Sequence, residues 1–357
     1  MKSPDIEWLE PVPYSPSPEL LAKVGGHPLV AELIARRQLA DPATVSGFLD
    51  PNLYTPADPL ELADLPTAAD RIDHAIQNNE MIGIWGDFDV DGQTATALLV
   101  SGLTSLGANV IYHIPIRSNE SHGVNLANLQ KMLVRGAQLI LTCDTGITAH
   151  EAADYLRAQG IDLLITDHHT LPEVLPMALA VVNPQRLPQA HPLHPLCGVG
   201  TAFQLLFELY RRRDRLQDAH NFLDLVALGT IADVALLTAD NRWLVQRGLE
   251  CLRSNTRPGL QAMLSLAEIN PARLSEEHIG FILAPRLNAI GRLGDANPMV
   301  DLLNATDIES ARSQALELEA LNSRRKRLCD DVFRAAQSQI ERDPSLLDPP
   351  FLLLDHP

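Results

Sequence analysis

The sequence lacks an excess of cations. Lys and Arg number 28 against 45 Asp and Glu, so the formal net charge is -17, and a protein that gripped a polyanion through a general basic coat would be charged the other way. A local binding groove remains compatible with this balance, because a patch acts over a shorter range than the net charge. The chain also has no apolar run approaching the roughly 18 residues of a membrane span, and its opening MKSPDIEWLE has no apolar signal core. Cysteine is scarce: Cys143, Cys197, Cys251 and Cys329 lie far apart and form no Cys-x-x-Cys pair, which argues against a zinc knuckle and reads as free thiols in a reducing cytoplasm, all four small buried hydrophobes. With 46% hydrophobic and 20% charged residues over 357 positions, the composition is that of a globular protein of about two domains.

What is present is an alternation. Prolines 4, 11, 13, 16 and 18 mark an N-terminal arm over residues 1–60, with a helix near Pro28–Leu39 and breaks at Asp50-Pro51 and Tyr54–Pro59. From Thr67 onward, amphipathic stretches (Ala68, Ile72, Ala75, Ile76; then Thr94–Leu106; then Leu126, Leu129, Met132, Leu133) alternate with short apolar runs at Met81–Trp85, Asn109–Ile114, Gln138–Cys143, Ile161–Thr166 and Leu179–Val182. Such alternation predicts an α/β fold, a doubly wound parallel sheet with helices on both faces. Thr148 and Glu151 have the spacing of a capping box at the start of one of these helices. Past Gly198 helices dominate (Ala202–Arg213, Phe222–Leu228, Leu244–Leu252), and 306–342, free of Gly and Pro, reads as a long connector helix opened by a Thr306/Asp307 cap. The run Phe351–Leu354 reads as the first strand of a further domain, which makes the chain a fragment in this reading.

Chemistry concentrates where the strands end. Asp87-Phe88-Asp89-Val90-Asp91-Gly92, Asp144 and Asp167-His168-His169 each follow an apolar run, and in a doubly wound sheet those carboxyl ends share the edge where ligands bind. Acids and an imidazole gathered on one rim repel unless a cation organises them. Oxygen ligands with one imidazole suit Mn²⁺ or Mg²⁺ better than zinc, and two such ions roughly 4 Å apart activate water and clamp a phosphate. Asp144, on the middle strand, fits a bridging ligand, and Asp233 in Gly229-Thr230-Ile231-Ala232-Asp233 offers a further carboxylate. The plain structural alternative is that an Asp at a strand end caps the next helix, which suits Asp91 best. An Asp-x-Asp after a strand also opens haloacid-dehalogenase phosphatases, but that reading leaves Asp167-His168-His169 without a role.

Those four segments resemble motifs I to IV of the DHH phosphoesterase superfamily, and within it the single-strand-specific exonucleases. Phe48-Leu49-Asp50-Pro51, Val182-Asn183-Pro184, Cys197–Phe203 and Pro285–Leu293 follow in the expected order, so the resemblance covers nearly the whole chain. It implies a DHH catalytic domain over 61–305, its sheet part reaching about residue 200, then the 306–342 connector and, from 343 to 357, the start of a truncated DHHA1-like domain. It implies Asp87, Asp89, Asp144, His168 and Asp233 as ligands of two Mn²⁺ or Mg²⁺ ions, Asp167 orienting His168, and His169 facing the scissile phosphate as donor or acid.

The activity implied is 5′→3′ hydrolysis of single-stranded DNA by a two-metal-ion mechanism, in cytoplasmic DNA repair and recombination, with helicase or single-strand-binding protein as partners and no membrane. The alternative is a DHH phosphodiesterase of short oligonucleotides or cyclic dinucleotides. Arg117, His122, Arg286, Asn288 and Arg292 are the implied substrate contacts. Ser121-His122-Gly123 departs from the family's Gly-Tyr-Gly, which removes an aromatic from base stacking. The basic runs Arg211–Arg213 and Arg324–Arg327 read as solvated helix faces able to flank a strand's path. On this resemblance, half of the substrate cleft lies outside the sequence, so the polypeptide is expected to bind Mn²⁺ but to cleave DNA poorly by itself.

Overall fold

The computed structural model describes residues 9, 12, 14–37, 39, 41–120, 122–254 and 257–356. Pro4, Pro11, Pro13, Ser121 and Pro357 lie outside the described residues. The chain divides into two compact units, 1–56 and 57–357.

In the first unit three short helices, Pro18–Lys23, Pro28–Arg36 and Pro42–Leu49, each begin on a proline, whose fixed φ suits the first helical position and whose missing N–H is no loss there. Ser17 and Asp41 cap two of them through their side chains. Leu20, Ala31, Ile34 and Val45 make a small core.

The second unit is built on five parallel strands, β1 (Met81–Trp85), β2 (Asn109–His113), β3 (Ala137–Cys143), β4 (Asp162–Thr166) and β5 (Ala180–Val182), in the order β2-β1-β3-β4-β5. They read as continuous apolar runs because both faces are covered. Ile82, Ile84, Leu139, Leu141 and Leu164 point into one core, and Ile140, Leu163 and Ile165 into the other. The larger core continues into the helical region, where the helices Gly198–Arg211 and Leu223–Ala232 pack on the buried helix Val90–Ser105.

Three local expectations need correction. The helix after β1 begins at Val90, inside the acidic motif, because Asp89 and not Asp91 caps it, its side chain accepting from Gly92 N–H. The Thr148/Glu151 capping box does not form. The helix starts at His150 behind Ala149 with no side-chain cap, while the neighbouring Ile147 N–H donates to Asp167 instead. Residues 351–356 form no strand, since among the described residues no other strand runs beside them to complete a ladder.

The long helix Ile308–Arg342, capped by Asp307, buries Ala311, Ala315, Leu318 and Asn322 against the helices Pro258–Leu266 and Ala284–Leu293. Its later half carries the exposed Leu328, Val332 and Phe333. Pro258–Leu266 is pinned at its start by Arg257, whose guanidinium meets the buried Asp224 at 2.7 Å on the helix that ends at Asp233. Removing one partner of a buried pair leaves a stranded charge. Arg257→Ala is therefore expected to cost about 3 kcal/mol in urea unfolding, whereas substituting an exposed pair such as Arg312–Glu309 should change stability by less than about 0.5 kcal/mol.

Candidate metal centre

The strand order reverses direction between β1 and β3, so the connections leaving their carboxyl ends diverge and open a crevice. The register brings the chemistry there. Trp85 lies beside Thr142 and Cys143 beside Thr166, which sets Asp87 level with Asp144, and Asp144 level with Asp167. Five residues expected from the sequence meet at this rim. Ligand atoms of Asp87, Asp89 and Asp144 lie within 4.8 Å of one another, as do those of Asp144, His168 and His169, and those of Asp91, His168 and Asp233.

Asp144 is the centre of the arrangement. Its backbone is left-handed, φ 59°, which Asp tolerates better than most side chains, and its N–H is tied to Thr166 O. His168 Nε2 lies 3.1 Å from Asp144 Oδ1, but that buried oxygen has no hydrogen-bond partner. Gly198 makes room for it, since a methyl carbon there would fall 2.4 Å from Asp144 Oδ1. A buried carboxylate oxygen with no donor, facing an imidazole nitrogen, is the environment a cation completes.

The electrostatics agree. Burial, with repulsion from neighbouring carboxylates, pushes Asp87 up to about 7, Asp91 to about 8 and Asp233 to about 6. Burial and then Asp91 hold Asp144 well above the carboxylate range. His168 is lowered to about 4 by burial and by His169, so it is a neutral imidazole, the form that ligates a metal. These residues fit a divalent cation with oxygen-rich coordination.

Asp91 is a member of the cluster that sequence reasoning left as a helix cap. Its two oxygens accept from Gly198 N–H at 2.6 Å and Val199 N–H at 2.7 Å, satisfying the start of the Gly198–Arg211 helix, where Cys197 supplies no side-chain cap. The signal was its place in the acidic motif; the partner, more than a hundred residues away, carried none.

Asp167 plays a different part from the one expected. It accepts from the ring Nδ1–H of His169 at 2.7 Å, not from the ring of His168, which it touches only through the backbone N–H. Asp167 also takes the N–H groups of His169 and Ile147, and the two imidazole rings lie 4.6 Å apart, tilted by 51°. Burial pulls Asp167 upward, and the hydrogen bond from His169 overcomes it. That same bond raises His169 to about 9, so the ring is a cation, 58% exposed beside the carboxylates.

The expected substrate contacts are placed unevenly. Arg117 stacks its guanidinium over the Phe88 ring at 5.1 Å and His122 meets the same ring at 4.8 Å. Phe88 therefore holds both beside Asp87 and Asp89. The loop carrying them is braced by Glu120, which accepts from Asn125 and pairs with His113. Arg286 is engaged by Glu319 at 2.7 Å and by Ile282 O. Asn288 is half-buried and Arg292 exposed on the same helix, whose Gly291 lies against Phe88 O. The run Arg211–Arg213 is neutralised by Glu208, Asp70 and Asp73, so it offers no free cationic face. In the second run, Arg325 bonds Asn322.

The chain is similar to known proteins over most of its length. A model of the DHH family, N-terminal domain, matches residues 81–230. The single-stranded-DNA-specific exonuclease RecJ of Bacillus subtilis is 38% identical over 318 residues, 88% of this chain and 39% of that protein. A crystal structure of exonuclease RecJ bound to manganese superposes with a TM-score of 0.73 at 36% identity, covering 80% of this chain and 72% of that one. RecJ of Thermus thermophilus in complex with Mn²⁺ gives 0.78 at 33% identity, over 90% of this chain and 46% of that one. The chain thus spans less than half the length of the Bacillus relative. Among the described residues no helix is long and apolar enough to cross a membrane.

Two outcomes follow from the buried carboxylates. Raised pKa values stabilise the fold below the unfolded value near 4, and the contribution is lost as pH rises through the folded values of about 7 for Asp87 and about 8 for Asp91. His168 acts in the opposite sense only below its unfolded pKa of about 6.5. The Tm of the metal-free protein should therefore fall between about pH 6.5 and pH 8, and Mn²⁺ affinity measured by calorimetry should rise over the same interval with release of protons. Asp144→Asn keeps the left-handed backbone and removes the charge. It should raise the Tm of the metal-free protein at neutral pH, since burial and the neighbouring carboxylates oppose the Asp144 charge, while abolishing the Mn²⁺ isotherm. Undiminished Mn²⁺ binding would exclude Asp144 as a ligand.

Proposed function

This chain belongs to the RecJ branch of the DHH family, and on that premise we propose that it is the metal-dependent catalytic part of a 5′→3′ exonuclease acting on single-stranded DNA. The observation that carries this reading is the convergence at one sheet edge of Asp87, Asp89, Asp144, His168 and Asp233, one of whose buried oxygens has no donor, in a chain similar over most of its length to proteins named for that activity. Two Mn²⁺ or Mg²⁺ ions held by those five side chains would neutralise charge on a phosphodiester and activate water.

The chain's own groups do the remaining work. His169, a cation anchored by Asp167, donates a hydrogen bond to a phosphoryl oxygen as charge builds there. Its proton is available to a departing alkoxide, which needs one. Arg117 and Arg292 bind backbone phosphates on either side of Phe88, the guanidinium fork matching two phosphate oxygens at once. Arg286 acts through Glu319, fixing its helix on the long helix rather than touching the strand. The setting proposed is cytoplasmic DNA repair and recombination, where a helicase supplies the single strand and a single-strand-binding protein covers it.

A DHH phosphodiesterase of short oligonucleotides uses the same metal residues, so substrate length is the discriminating measurement. In Mn²⁺, a long 5′-phosphorylated single strand is expected to bind tighter than a dinucleotide and to be hydrolysed slowly by this chain alone. Preferential hydrolysis of the dinucleotide would overturn the exonuclease reading in favour of the other. His169→Ala should lower the rate about 100-fold or more with the Mn²⁺ isotherm unchanged, since His169 donates to substrate. A parallel loss of Mn²⁺ binding would make it a ligand instead.

A further inference from the structure

Beside Asp233 lies an apolar rim that the hydrolytic reading does not use. Residues Ile279–Leu283 form a π-helical turn that runs directly into Ala284–Leu293. The turn is anchored by Ile279 and Leu283, both buried, whereas Phe281 between them is 83% exposed. π turns are costly insertions that widen a helix locally and occur mostly at functional sites. Gly280, next to Phe281, comes against Ile231 of the helix that ends at Asp233, so the turn is lodged at the edge of the metal centre.

A second, independent feature lies at the end of the helix that Gly280 meets. Val234, immediately after Asp233, has φ 60°, a left-handed backbone that a β-branched residue adopts only under constraint. It is 84% exposed, and Leu236 is also exposed. The fold gains nothing from holding a strained valine and a phenyl ring in water. Beyond Phe281, Pro285, Asn288 and Arg292 follow at helical spacing and are all partly or fully exposed. An exposed ring, an amide and a free guanidinium thus succeed one another along one helix that rests on Phe88 through Gly291.

We propose that Phe281 is a base-stacking platform, with Val234 completing its apolar rim, that receives an unpaired base of the strand whose phosphate occupies the metal centre. The inference rests on the single-strand reading above and adds a source of strand selectivity to it. A phenyl face stacks on any base, but only a single strand has a base free to leave its neighbours; in a duplex both faces are covered. Selection for unpaired DNA would then come from Phe281 and not from charge, which suits a protein of net charge -17.

The test separates base from backbone. Binding of a short oligo(dT) with phosphorothioate linkages, and of an abasic chain of the same length and charge, is measured in Mn²⁺ by fluorescence anisotropy for the wild type, Phe281→Ala and Phe281→Trp. Phe281→Ala is expected to weaken oligo(dT) about tenfold, within the range for loss of one stacked base, and to leave the abasic chain unchanged within about twofold. Phe281→Trp should bind oligo(dT) at least as well as the wild type. An unchanged Tm and Mn²⁺ isotherm would show that the exposed substitution left the fold intact. Equal losses on both ligands, or none on oligo(dT), would overturn the stacking role while sparing the nuclease reading. Failure of the wild type to bind either ligand would overturn both.

Discussion

Mutual repulsion of carboxylates with too little water around them is the constraint on which the second unit is organised. Asp87, Asp91, Asp144 and Asp233 are each pushed toward the protonated form by burial and then by neighbouring carboxylates, Asp89 beside each of them. Nothing in the hydrophobic core requires them, and a fold optimised for stability alone would not gather them. They persist because β1, β3 and β4 are held in register by a buried ladder strong enough to carry the cost. The surrounding small residues show the same priority, as Gly198 yields its side chain to the Asp144 carboxylate.

The helical region is coupled to this rim through specific atoms. Asp91 serves the Gly198–Arg211 helix and the acidic cluster with one carboxylate, 3.8 Å from His168 Nε2. Gly229 sits where a methyl carbon would lie 3.0 Å from Asp91 Oδ1, and its helix delivers Asp233 at its end. Phe88 carries Arg117 and His122 on its ring and abuts Gly291 with its carbonyl. The helices beyond the sheet are therefore walls of the centre as well as parts of the core.

Much of this was legible in the sequence. The five strands were readable because a parallel sheet covered on both faces writes uninterrupted apolar runs, and the acidic cluster because acids at strand ends have few structural uses. What escaped depended on partners distant in sequence or on the geometry of a single turn. Asp91 was indistinguishable from a cap until its partners were known to be Gly198 and Val199. Which imidazole Asp167 holds is decided by one tight turn, and composition says nothing of it. Arg286 resembles a phosphate ligand in its motif, but Glu319, on another helix, claims it. Phe281 carried no mark, because exposure is a property of the fold and a π turn has no sequence period.

The register of β1, β3 and β4 has a meaning beyond placement. Neighbouring strands in any sheet stand about 4.8 Å apart, and Asp87, Asp144 and Asp167 leave the ends of strands paired in this register. Side-chain substitutions alter individual carboxylates but leave the strand spacing as it is. Only a slip of one strand would change it, and a slip of one residue would turn each carboxylate to the opposite face. The sheet acts as a ruler whose graduations are peptide groups, and the size of the centre is inherited by every sequence that keeps the ladder, whatever else about it diverges.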